Sequence, residues 1–232
     1  MQLVPPIVGS RAVGGRCGLA RVRRVGSAEP NACEALVLLF GIVIQKRSAQ
    51  RAAKALLAEF GSLRAILSAA PEQLCAVAEV PPAAALAVHV AGTAVDVCLR
   101  ERLQEAPLLT QPEPLWAFWR ARLGHLRREV FEAVYLDSGF RLLPGGVDRL
   151  QEGTSDRVIV YPRRVLEAAI RREAAFIILA HNHTNGQCVP SDEDRLLTRA
   201  LVLAAETVDL RIHDHLIVGG DQVFSFRGEG LL

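Results

Sequence analysis

The stretch “AHNHTNGQCVPSDED”, residues 180–194, decides how the chain is read. Before it, “AAFIILAH” (174–181) is a continuous apolar run with Phe and Ile, the mark of a central strand buried on both faces. After it, “DEDRLLTRALVLAAETV” (192–208) carries helical spacing. His181 and His183 stand at i and i+2 at the strand end, so their imidazoles project to one side. “TNGQCVP” then turns the chain, with Asn185-Gly186 supplying residues that tolerate positive φ. Ser191 and Asp194 form an S-x-x-D capping box, and a first-turn position lets Asp194 bring its carboxylate back toward the histidines. Two neutral nitrogens and one carboxylate make a catalytic type of zinc site, with a fourth position left for water. Each half alone has a plainer reading: capping boxes start many helices, and His-x-His arises by chance. The joint spacing favours the metal, and Ser191 can cap the helix and still face the metal's water.

Working outward, the flanking segments predict an α+β domain over 115–232. “LWAFWRARLGHL” (115–126) reads as a short helix. “EVFEAVYLD” (129–137) and “FRLLPGGV” (140–147) read as strands of a hairpin turning at Ser138-Gly139, and “RVIVY” (157–161) as another strand. “PRRVLEAAIRRE” (162–173) opens on Pro162, suited to the first turn of a helix. “LRIHDHLIVG” (210–219) and “QVFSFRG” (222–228) close a mixed sheet flanked by helices. His213 and His215 are expected to line one face of their strand.

Upstream the texture is helical. Residues 31–103 hold “ACEALVLLFGIVI”, “SAQRAAKALLAEFG”, “SLRAILSA”, “PEQLCAVAEV” and “PAAALAVHVAGTAVDVCLRERL”, with apolar residues three and four apart and Gly61 just past a helix end. These predict a bundle of short helices, and “ALVLLFGIVI” (35–44) a buried one. “QEAPLLTQPEP” (104–114) carries three prolines in eleven residues and reads as a linker. Residues 1–30, with Pro5-Pro6, Gly14-Gly15 and scattered arginines, lack either period and read as a flexible extension.

Composition narrows the function classes. Half of the 232 residues are hydrophobic and 22% are charged, ordinary for a globular protein. Residues 1–30 hold five arginines against Glu29 alone; of 27 basic and 25 acidic residues in all, 22 and 24 remain beyond them. The body is slightly acidic and gives no basic footprint for nucleic acid. No uninterrupted apolar run approaches the ~20 residues that cross a bilayer, so no membrane partner is expected. Five cysteines (17, 33, 75, 98, 188) form no C-x-x-C pair and are expected as mostly buried thiols of a reducing compartment. Proline, glycine and arginine interrupt the N-terminus, unlike a secretory signal, so the cytoplasm is the expected location.

The pattern H-x-H-x7-S-x2-D resembles the zinc signature of the JAB/MPN (JAMM) metalloprotease fold. Beyond it, “REVFEAVYLD”, “VYPRRVLEAAIRREAAFIILAHNH”, “SDEDRLLTRAL” and “LRIHDHLIVGGDQVFSFRGEGLL” resemble the bacterial RadC family, labelled DNA repair protein RadC or JAB domain-containing protein, over roughly residues 31–232. The resemblance implies Zn2+ held by His181, His183 and Asp194. It implies Glu129 of “REVF” as general acid/base, although Glu132 is nearby and register alone leaves an exchange of the two open. It implies Ser191 as a hydrogen-bond donor to a developing oxyanion, a peptide or isopeptide bond in a protein substrate, and Asp214 and His215 as partners of the ligands rather than ligands. The chain departs from the family at H-N-H-P-S-G, where Thr184 and Asn185 replace Pro and Ser, which leaves the loop beside the metal in question. Cys188 lies outside the ligand pattern.

In that family the helical half resembles a helix-hairpin-helix whose glycine turn offers backbone N–H groups to a phosphate. In “LCAVAEVPPAAA” (74–85) Glu79 and Pro81 stand where the glycines belong; proline lacks the donor and glutamate adds negative charge. A degenerate hairpin without phosphate contact is expected, with Trp116 and Trp119 as a packing face rather than a base-stacking platform. Two functions follow from the resemblance: a zinc-dependent hydrolase, or a DNA-associated accessory protein whose zinc site is vestigial or structural.

Overall fold

Among the described residues, Asn31 starts the first helix because its side chain and that of Glu34 cap each other's backbone N–H, at 3.0 and 3.1 Å. The computed structural model describes residues 30–105, 107–152 and 160–232. The expected extension, Cys17 and most of “RVIVY” lie outside those residues. By its internal contacts the chain divides into Met1–Ala91 and Gly92–Leu232.

Among the described residues of the first unit, α1 (Ala32–Phe40), α2 (Lys46–Phe60), α3 (Leu63–Ser68) and α4 (Pro71–Cys75) precede the start of α5 (Pro82–Gln104). Leu36, Phe40, Leu56, Ile66, Leu74 and Val88 are fully buried together. Gly61 takes φ +77° at the end of α2, as its position predicted. The run 35–44 is not one buried helix: α1 stops at Phe40, and Ile42 is 81% exposed. Between α4 and α5, Glu79 has φ +72°. The hairpin thus keeps the left-handed backbone that suits glycine, at a cost of ~1–2 kcal/mol for a residue with a Cβ. The Glu79 carboxylate lies 3.3 Å from Arg51.

By length and composition alone α5 meets the requirement for crossing a membrane, yet Ala84, Ala85 and Val88 are buried in the first core and Leu103 in the second. Cys75 and Cys98 are exposed, while Cys33 and Cys188 are half-buried. The expectation of buried thiols therefore fails for the described cysteines. Cys98 lies in the solvent-facing middle of α5, and Cys75 ends a five-residue helix that buries only Leu74.

The second unit is α+β: α6 (Glu113–Leu123), β1 (Val130–Leu136), β2 (Leu142–Glu152), α7 (Pro162–Arg171), β3 (Phe176–Asn182), α8 (Asp192–Glu206), β4 (Arg211–Gly219) and β5 (Gln222–Ser225). The sheet order is β2-β1-β3-β4-β5, parallel only between β3 and β4. Asp137 closes the β1–β2 hairpin by accepting from the N–H groups of Gly139 and Arg141. Leu108, inside the proline-rich stretch, is buried, and its N–H donates to Phe140 O. Trp119, Phe118 and Leu123 of α6 pack on one face of the sheet, against Val134 and Ile178. Val165 and Ala169 of α7 and Leu201 and Ala205 of α8 cover the other, against Ala133 and Leu179. Both faces of β1 and β3 are thus sealed, which is why β3 reads as an unbroken apolar run.

Candidate metal centre

β3 ends at Asn182, and the two histidines leave it on the α8 side. His183 N–H still donates to Val218 O at 3.1 Å, extending the pairing with β4 by one residue. The chain then reverses. Gly186 N–H donates to His183 O with φ +74° at Gly186, and Asn185 Oδ1 accepts from Gln187 N–H at 2.9 Å. This Asx turn gives the loop its reversal at Asn185-Gly186, the pair expected there. The loop lies against Gly219, where a Cβ would come within 2.5 Å of Gly186 O and 2.9 Å of Cys188 Sγ. Cys188 is therefore a packing contact of the loop.

Ser191 caps α8: its Oγ accepts from Asp194 N–H at 3.1 Å and donates to Asp194 Oδ2 at 2.7 Å, and Ser191 N–H donates to the same oxygen at 2.8 Å. The capping box aims the Asp194 carboxylate back at the strand end. Its oxygens lie 3.1 Å from His181 Nε2 and 3.2 Å from His183 Nε2, and the two Nε2 atoms are 3.0 Å apart. One ligand atom from each residue falls within 4.8 Å of the others, so the three could hold one metal ion. The donor set of two imidazoles and one carboxylate fits a divalent cation that accepts nitrogen and oxygen.

Each ring is held from behind. His183 Nδ1 faces Gln187 O at 3.0 Å, and His181 Nδ1 faces His215 Nε2 at 2.9 Å. Phe131 stacks on His181 with ring centroids 5.7 Å apart. Burial alone would raise the Asp194 pKa, but the His181 and His183 rings that its oxygens face, together with the Ser191 hydrogen bond, hold it well below the ordinary carboxylate value. The hydrogen bond to Asp194 raises His183, with smaller help from the Gln187 carbonyl and the negative charge of Glu129. Wholly buried, His215 is pushed far below the usual histidine value and is neutral.

The register separates the two glutamates. Phe131 pairs with His181 and Glu132 with Ala180, so Glu129, two residues before Phe131, belongs to the histidine side. Glu132 points to the other face. Fully buried there, it accepts from Arg122 Nη2 (2.9 Å) and Nε (3.2 Å), Trp119 Nε1 (3.2 Å) and Arg149 Nε (3.3 Å).

The remaining pair separates. A bulge in the β3–β4 pairing matches Ile177 with Ile212 and Ile178 with Asp214, leaving His213 as the extra residue. His213 and His215 therefore do not share a face as expected: His213 packs edge-on to Phe176, and His215 reaches His181. Asp214 accepts from Ser225 Oγ, Arg227 N–H and His215 N–H, joining β4 to the residues around β5.

Three residues that the sequence patterns did not single out support the centre: Phe131, Asn182 and Thr198. Asn182, 1% exposed between the two histidines, accepts from Val130 N–H at 2.8 Å and donates to Arg128 O and Leu126 O. It thereby ties the segment that carries Glu129 to the strand end that carries His181. Its one visible mark is a polar amide at the end of an apolar strand. Thr198 stands four residues after Asp194 on the same helix, and nothing else in the sequence marks it.

Comparison with known proteins agrees with this architecture. The family model of the RadC-like JAB domain matches residues 109–231. A UPF0758 protein of Pseudomonas fluorescens (strain SBW25) is 35% identical over 207 residues, 89% of this chain and 92% of the relative. One of Aliivibrio fischeri (strain MJ11) is 36% identical over 197 residues, 85% and 87% of the two chains. One of Burkholderia mallei (strain SAVP1) is 35% identical over 205 residues, 88% and 73%. With the domain match over more than half its length and relatives aligned along most of it, the chain belongs to the RadC family of JAB-domain proteins.

Proposed function

We propose that the protein is a zinc-dependent hydrolase that cleaves a peptide or isopeptide bond of a protein substrate in the cytoplasm. The observation that carries this reading is the convergence of His181, His183 and Asp194, each with its outer hydrogen bonds already committed elsewhere. A zinc ion held by the three would supply Lewis acidity, lowering the pKa of a water from ~15.7 toward ~7.

Glu129 accepts the proton of the attacking water and delivers it to the amine nitrogen as the C–N bond breaks. The contribution of its negative charge to the raised pKa of His183 supports this role. Glu132 takes no part, since two arginines and a tryptophan consume its acceptors. Ser191 has a single hydroxyl proton, directed at Asp194 Oδ2. Turning that proton toward a developing oxyanion gives it a second role, of a kind whose loss costs ~3 kcal/mol.

Metal analysis tests the reading. Wild-type protein is expected to carry about one zinc per chain and Asp194→Ala none; full retention by the variant overturns the ligand set. Glu129→Gln is expected to keep the metal and lower cleavage of a peptide library ~10²–10⁴-fold. Glu79 in the hairpin and the acidic balance of residues 31–232 weigh against a nucleic-acid partner. Submicromolar DNA affinity in ordinary buffer, with a zinc that Glu129→Gln leaves functionally silent, would favour the accessory-protein reading instead.

A further inference from the structure

We propose that Thr198 and His215 are positioning residues that fix the ring proton of His181 on Nδ1 and so reserve its Nε2 lone pair for a divalent cation. This rests on the metal reading above and extends it to a chain of three side chains on β3, β4 and α8.

The chain begins at an atom that cannot donate. Thr198 Oγ1 lies 2.6 Å from the backbone carbonyl oxygen of Asp194, and a carbonyl only accepts, so the single hydroxyl proton is committed there. Thr198 Oγ1 is also 2.7 Å from His215 Nδ1. With the hydroxyl proton already used, the proton in that contact belongs to the nitrogen. The two ring nitrogens of His215 face Thr198 and His181, with no carboxylate beside either, and the residue is 0% exposed. A neutral ring protonated on Nδ1 presents a lone pair at Nε2. The 2.9 Å contact from His215 Nε2 to His181 Nδ1 is therefore donated by His181. His181 Nε2, facing His183 and Asp194, is left as a lone pair.

The direction matters because neutral imidazole in water favours the Nε2–H form, which would put a hydrogen where a metal ligand is required. The hydrogen bond at one ring nitrogen decides which nitrogen can bind metal. Packing holds the same rings in plane: Phe226 stacks on His215 with centroids 5.0 Å apart, and Phe131 covers His181. His183 reaches the same end without a relay, since a backbone carbonyl, Gln187 O, faces its Nδ1. The Thr198 chain returns to the backbone of Asp194, so two of the three ligands are tied through one hydroxyl.

Nitrogen-15 NMR of ring-labelled, metal-free protein, paired with zinc titration, tests this. In wild type both His181 and His215 are expected with the proton on Nδ1. Thr198→Val keeps the shape and removes the acceptor: His215 shifts toward Nε2–H, and the zinc Kd rises ~10–100-fold. Thr198→Ser is expected to restore both readouts, which a purely packing role for Thr198 would not require. Wild-type His215 protonated on Nε2 overturns the proposal with no variant needed. Thr198→Val that folds with wild-type tautomers and wild-type zinc Kd also overturns it. Expected tautomers in a wild-type protein that takes up no zinc would sink the hydrolase reading while leaving the direction of the chain intact.

Discussion

Glu129 stands just before β1 and Glu132 within it, and the alternation of the chain there sends them to opposite faces. On the α6 face Glu132 is sealed among Arg122, Arg149 and Trp119, with every acceptor used and Arg122 further paired to Asp96. On the α8 face Glu129 is half-buried beside histidines whose outward nitrogens are all committed. The same kind of carboxylate is sealed where its partners are complete, and on the proposed reading it is free for proton transfer where they are not. Strand parity draws that line, and a one-residue slip of β1 against β3 would exchange the two roles.

Glu132→Ala should show the largest effect on stability. Removing one member of a buried ion pair costs ~3–5 kcal/mol, and the low end applies because Arg122 keeps Asp96. Denaturant midpoints read this, and a loss under ~1 kcal/mol would mean that Arg122 is fully repaid by Asp96 and water. Glu129→Gln should do the reverse, leaving the midpoint within ~0.5 kcal/mol while removing activity. A matched loss of stability in both variants would erase the contrast between the faces.

Asn182 joins the two sides of that comparison. Asn182→Ala leaves the buried Val130 N–H and two carbonyls without their partner, a cost of ~1–3 kcal/mol. Because it frees the segment before Glu129 and not the ligands, zinc content should hold while cleavage falls. Loss of zinc together with cleavage would show that Asn182 serves the histidines instead.

The smallest effect concerns His213, away from the cluster. Burial and then Arg227 lower its pKa from 6.5 to about 4. Between those values the unfolded chain binds a proton that the folded chain does not, so this contribution to stability is present above pH 6.5 and is lost as pH falls toward 4. His213→Gln should flatten the Tm–pH curve across that window; an unchanged slope would assign it to other groups.

The convergence of His181, His183 and Asp194 was legible because it is local: fourteen residues contain a strand end, a turn and a capping box, and each has a compositional mark. The helices and the mixed sheet followed from periodicity for the same reason. Properties that depend on neighbours distant in sequence were not legible. Glu129 and Glu132 could be told apart only once β1 was paired with β3. The link from Thr198 to His215 crosses two elements, and the bulge that separates His213 from His215 leaves no trace in an alternating pattern. The end of α1 at Phe40 and the exposure of Cys98 likewise depend on what packs nearby, which hydropathy along the chain does not encode.

Asp194 Oδ2 serves two masters: it receives the Ser191 amide that begins α8 and it faces the His183 imidazole. If the cluster holds a cation as proposed, a single oxygen couples helix nucleation to its capture, and neither can be lost without loosening the other. Slower amide exchange in the first turn of α8 when an ion arrives would be the outward mark of that shared atom.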